Sequence, residues 1–98
     1  MTLTDMYEQL TGPLSIGKLL HAFRATHEWT LEKLAAKLSM SPEKLANIEN
    51  EIIYPDLDQA ISFAQLLHEE EDFYVEIFLR DLLRRSGLSP SSYVKSLE

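Results

Sequence analysis

The stretch from Thr30 to Glu51, TLEKLAAKLSMSPEKLANIENE, constrains this chain more than any other. Thr30 precedes a run in which Leu34, Ala35 and Leu38 share one helical face, and Ser41-Pro42 precedes a second run carrying Leu45, Ile48 and Ile52. A hydroxyl side chain caps a helix by accepting from an otherwise orphaned amide of the first turn. Proline fits the first helical position because the amide there has no partner to lose. The spacing therefore predicts two short helices joined by a tight turn at Ser39-Met40, with Ala35 small enough to permit a close crossing. Trp29, just before the first cap, reads as a core plug rather than a stacking platform for bases.

The flanking segments repeat this grammar. Ser15 caps a helix to about Thr26 with Ile16, Leu19, Leu20 and Phe23 on its inner face. After Tyr54-Pro55, Asp56 and Gln59 form a capping box that opens a helix with Leu57, Ala60, Ile61, Ala64 and Leu67 directed inward. Ahead of all this, Met1 to Leu14 places Leu3, Met6, Tyr7 and Leu10 at helical spacing before a Gly12-Pro13 stop. Two states fit this lead-in, a short packed helix or a mobile arm.

Beyond the polar joint His68 to Asp72, residues 73–86 form a fifth helix with more apolar surface than one neighbour covers. Tyr74, Val75, Phe78, Leu79, Leu82 and Leu83 span about half of a 100° wheel, and Phe73 with Ile77 make a second strip. Part of this surface packs on the domain and the rest awaits a partner, so Phe73, Tyr74, Ile77, Phe78 and Leu82 are candidate dimer or partner contacts. Gly87-Leu88 ends the helix, and Ser89-Pro90 opens a final short one to Leu97. Leu82 to Val94 echoes Leu34 to Ala46, and Arg84, Arg85 and Lys95 are spare cations for phosphate there.

Ninety-eight residues with 45 % hydrophobic content suffice for one folded domain. The absence of cysteine excludes disulfides and thiolate metal sites, and neither a signal-peptide pattern nor a membrane-length apolar run is present, so a cytoplasmic protein with no membrane contact is expected. Glycines stand only at 12, 17 and 87, which rules out a phosphate-cradling loop, and no serine sits in a nucleophile elbow. His21, His27 and His68 are scattered and read as surface or half-buried side chains. The expectation is no enzyme, no cofactor and no metal.

Charge bears on partners. The net charge of −7 argues against a nucleic-acid binder, but it is unevenly spread. From Ser15 to Asn50 five basic residues meet four acidic ones. From Glu51 to Leu83 nine acidic residues stand against Arg80 alone.

Taken together, Ile16 to Leu67 resembles the helix-turn-helix domain of the Cro/cI-like, or Xre, family of transcription regulators, which includes many antitoxins. The matching residues are Arg24, Leu34-Ala35, Ser41, Leu45, Ile48, Glu49, Pro55, Leu57, Ala64 and Leu67. The resemblance implies an all-α protein, a compact five-helix bundle with an apolar C-terminal helical extension. Its organisation would be a lead-in at 1–14, a DNA-binding domain at 15–68 and a dimerisation or partner-binding extension at 69–98. It also implies a structural ion pair between Arg24 and Glu49, a third helix that enters the major groove, and a homodimer on an operator of two half-sites. In antitoxin members a toxin protein is the further partner.

The pattern departs from the family at informative positions. Leu31 stands where a contacting Gln is common, and Pro42 and Glu43 occupy the start of the reading helix. Ser39 and Glu51 replace glycines, which predicts left-handed strain at both. Lys44 and Asn47 remain for base edges, with Glu43 limited to cytosine amino groups. Thr30, Ser41 and the amides of the two helix starts face phosphates, and Lys33, Lys37 and Asn50 flank the backbone. Two functions follow from these residues. One is a sequence-specific transcriptional regulator, a repressor or antitoxin-type autoregulator; the other is a protein-interaction adaptor that keeps the fold but has lost base readout.

Overall fold

The computed structural model describes residues 3–93, and these form six α-helices and one 3₁₀ turn, with no strand among them. In chain order the helices are α1 (Leu3–Thr11), α2 (Ile16–Thr26), α3 (Leu31–Lys37), α4 (Pro42–Glu49), α5 (Leu57–Leu66) and α6 (Glu71–Arg85). The all-helical expectation holds, but the lead-in is itself a helix, so the count exceeds five. Of the final helix expected over 90–97, the described part is a 3₁₀ turn at Pro90–Ser92, and its remainder falls within 94–98, outside the described residues.

Local sequence sets the helix boundaries. Ser15, Thr30 and Ser41 accept from the amides of Lys18, Lys33 and Lys44, and Asp56 with Gln59 forms a complete capping box. At the other ends, α2 to α5 each stop on a left-handed residue that is not glycine: Glu28 (φ 55°), Ser39 (58°), Glu51 (59°) and His68 (55°). In each case the next amide reaches back to the carbonyl five residues earlier, as in Ile52 N to Asn47 O at 2.8 Å. This Schellman closure satisfies carbonyls that the helix leaves orphaned. α6 ends the same way on Gly87, with Leu88 N on Leu83 O at 2.9 Å.

One core unites α2 to α6. Leu20 and Phe23, Leu34 and Ala35, Leu45 and Ile48, Ala60, Phe63 and Ala64, and Tyr74 and Ile77 form a single buried cluster. Tyr74 and Ile77 are therefore core residues, not dimer contacts as their wheel positions suggested. They are 3 % and 0 % exposed, and through them α6 shares the core of α2 to α5. Two other inward assignments fail at helix ends. Ile52 is 69 % exposed because the left-handed Glu51 turns the chain away, and Leu57 lies at the open first turn of α5. Phe63, absent from the expected inward set, is buried in the core.

The α2–α4 crossing is unusually tight. A Cβ on Gly17 would lie 2.1 Å from the Ile48 carbonyl oxygen, so only glycine permits this approach. Ala35 is fully buried in α3, as its small size anticipated.

Candidate nucleic-acid interface

The candidate site is built on α4. On a 100° wheel Leu45 and Ile48 point to the core, while Glu43, Asn47 and Asn50 fall within about 60° of one another on the far side and Lys44 flanks them. Glu43, Lys44 and Asn50 are exposed and Asn47 is half-buried. The Asn47 carbonyl accepts from Ile52 and Ile53, which fixes the C-terminal turn beneath its side chain. At the start of the helix, Ser41 Oγ lies 3.1 Å from the Lys44 amide, and Thr30 does the same for Lys33 at the start of α3. α3 and α4 pack on one another, and the caps that open them, Thr30 and Ser41, are both exposed.

A bidentate ion pair holds the C-terminal end of α4. Arg24 Nε donates to Glu49 Oε2 at 3.0 Å and Nη2 to Oε1 at 2.8 Å, and His21 Nδ1 lies 3.0 Å from Oε1. Burial alone would push the Glu49 carboxyl up. The hydrogen bonds from Arg24 and His21 outweigh it and hold the group below the usual carboxylate range. The same hydrogen bonding raises the Arg24 guanidinium further. Both charges are therefore fixed, and the pair orients the helix rather than offering a ligand site.

Three neighbouring side chains are already engaged in packing. Lys33 Nζ sits 4.6 Å from the Trp29 ring centroid, and Trp29 meets Phe23 edge-on at 5.5 Å. Trp29 is thus a half-buried plug, and Lys33 is an exposed cation resting on it. Leu31 packs against the core, which accounts for an apolar residue at the first position of α3.

Lys37 is exposed at the end of α3, whereas Arg84 and Arg85, also expected near phosphate, are engaged elsewhere. Arg84 Nη2 bonds both Glu8 oxygens at 3.1 and 3.2 Å, and Arg85 Nε bonds Asp81 at 3.0 Å while its guanidinium stacks over Tyr54. Lys95 lies outside the described residues. Of the predicted partner contacts on α6, Phe73 and Leu82 are exposed and Phe78 is partly buried against the core.

A second charged cluster joins residues far apart in the chain. Arg80, 3 % exposed, donates from Nε to Glu8 Oε1 at 2.9 Å and from Nη2 to Asp5, while the Leu14 amide donates to Glu8 Oε2 at 2.6 Å. Arg80 was the lone base of an acidic segment, and that isolation was the available signal. Its carboxylate partners lie more than seventy residues away.

No group of three His, Asp or Glu among the described residues is placed to hold a metal ion, and no described helix is long and apolar enough to cross a membrane. Compared with known proteins, the chain matches no family model, no curated protein and no solved structure.

Proposed function

We propose that this protein is a sequence-specific DNA-binding transcriptional regulator with a Cro/cI-like helix-turn-helix fold, acting as a dimer on an inverted repeat. Within that class it is a repressor or an antitoxin-type autoregulator of its own promoter. α3 crosses the backbone and α4 lies in the major groove, where Lys44 donates to guanine and Asn47 pairs with adenine. Thr30, Lys33, Ser41 and Asn50 meet phosphates and set the register.

The observation that carries this reading is the solvent-facing strip of α4. Glu43, Lys44, Asn47 and Asn50 run its full length while its C-terminal end is clamped by Arg24 to Glu49. A rigid polar strip on a helix backed by a dense core is what major-groove readout requires.

A second reading, an interaction adaptor without base readout, draws on Pro42 and Glu43 at the exposed start of α4 and on Leu31 turned to packing. Selection from a random duplex library separates the two. Enrichment of an inverted repeat supports the regulator, and sequence-blind recovery supports the adaptor and overturns the first reading.

A further inference from the structure

α1 is an amphipathic helix packed the wrong way round. Its polar side, Thr4, Asp5 and Glu8, is turned inward, with Asp5 and Glu8 bonded to α6. Its apolar side, Leu3, Met6, Tyr7 and Leu10, faces solvent at 63, 48, 54 and 87 % exposure. These four occupy i, i+3, i+4 and i+7, one continuous stripe. The sequence pattern alone places such a stripe against the core. The reversal follows from Arg80, a buried guanidinium on α6 that needs carboxylates, which α1 supplies.

We propose that this stripe is a homodimer interface, covered by the α1 stripe of a second copy of the chain about a two-fold axis. Charge favours this occupant. The other exposed residues of α1 are Gln9 and Thr11, so its outer face is uncharged and a chain of net charge −7 brings no like charges together there. The groove between α2 and α6, about 560 Å³, is the competing surface. It is lined by Phe23 and Phe73 but also by the exposed carboxylates of Glu69, Glu70 and Asp72, which would oppose their own copies across a two-fold axis. The stripe also lacks the flanking lysines and arginines by which an interfacial helix holds anionic lipid.

Area agrees. At these exposures, four side chains of roughly 200 Å² each leave about 500 Å² per protomer, so two copies offer about 1,000 Å², the lower bound for a specific interface. A dimer of moderate strength is expected. The interface needs no nucleic acid, and its failure would leave base readout by α4 untouched.

Sedimentation equilibrium of the full chain from about 1 to 200 µM, an order-of-magnitude window around a weak dimer, tests this. Met6→Glu/Leu10→Glu is the test variant, Leu82→Glu on α6 is the control, and circular dichroism monitors folding. The wild type should approach twice 11.3 kDa. The α1 variant should keep its helicity and melting temperature yet dissociate at least about 100-fold more readily, since like charges would meet at the axis. Leu82→Glu should dimerise as the wild type does. A wild type that stays monomeric overturns the proposal, including one that instead floats with phosphatidylcholine–phosphatidylglycerol vesicles. So does an α1 variant that dimerises normally, or a dimer that only Leu82→Glu, or both variants, abolish.

Discussion

Glu49 receives both arms of the Arg24 guanidinium, at 3.0 and 2.8 Å, and so joins the last turn of α4 to the last turn of α2. The carboxylate side chain is 6 % exposed and the guanidinium 23 %, which places the pair at the edge of the core. Glu49→Ala removes two charge-assisted hydrogen bonds and should cost about 2 kcal/mol of unfolding free energy, measured by urea denaturation. An unchanged midpoint would show that the pair is ornamental.

The same pair sets a pH dependence. The folded Glu49 carboxyl lies below its ordinary value, so its contribution is complete above that value and is lost as pH falls through the folded one. Melting temperatures should decline from about pH 5 downward. Glu49→Gln should start lower at neutral pH and decline less on acidification. Parallel curves for the two proteins would assign the acid sensitivity to other groups.

Gly17 and the Ile48 carbonyl fix how closely α2 and α4 approach. In a free helix alanine is preferred over glycine, yet here its methyl would lie 2.1 Å from a backbone oxygen. Gly17→Ala should destabilise the protein by at least about 2 kcal/mol. Equal or higher stability would mean that the helices part without loss.

The four left-handed stops invite the opposite change. Glu28, Ser39, Glu51 and His68 each hold a Cβ in a region that glycine occupies freely. Replacing any one by glycine should raise stability by about 0.5–1 kcal/mol, and the corresponding alanines should not. Thermal melts of the four single variants check this, and uniform losses would contradict it.

Features that depend on a few adjacent residues were legible in the sequence. The caps at Ser15, Thr30, Ser41 and Asp56 follow from side chains reaching amides three residues on, and the strain at Ser39 and Glu51 from a stop without glycine. Features that depend on distant partners were not. Apolar spacing in α1 shows that one face is apolar, but which face turns inward was decided by Arg80, far along the chain. Tyr74 and Ile77 looked like surplus surface on α6 because nothing local reveals the cavity that α5 and the other helices leave for them. Gly17, a lone glycine inside a helical pattern, is the local mark of the close approach of α2 to α4. On α4 the exposed positions Glu43, Lys44 and Asn50 were legible from periodicity, whereas the engagement of Lys33 with Trp29 was not.

The central claim is that α4 reads bases through Lys44 and Asn47. It is tested most directly by fluorescence anisotropy of the wild type and of Lys44→Ala/Asn47→Ala on the duplex upstream of the protein's own coding sequence, at about 50 and 200 mM salt. Specific binding should weaken at least tenfold with salt, an order-of-magnitude expectation, and the variant should fold normally but bind at least about 100-fold less well. Binding of equal strength to scrambled duplex, or an unimpaired variant, would contradict it.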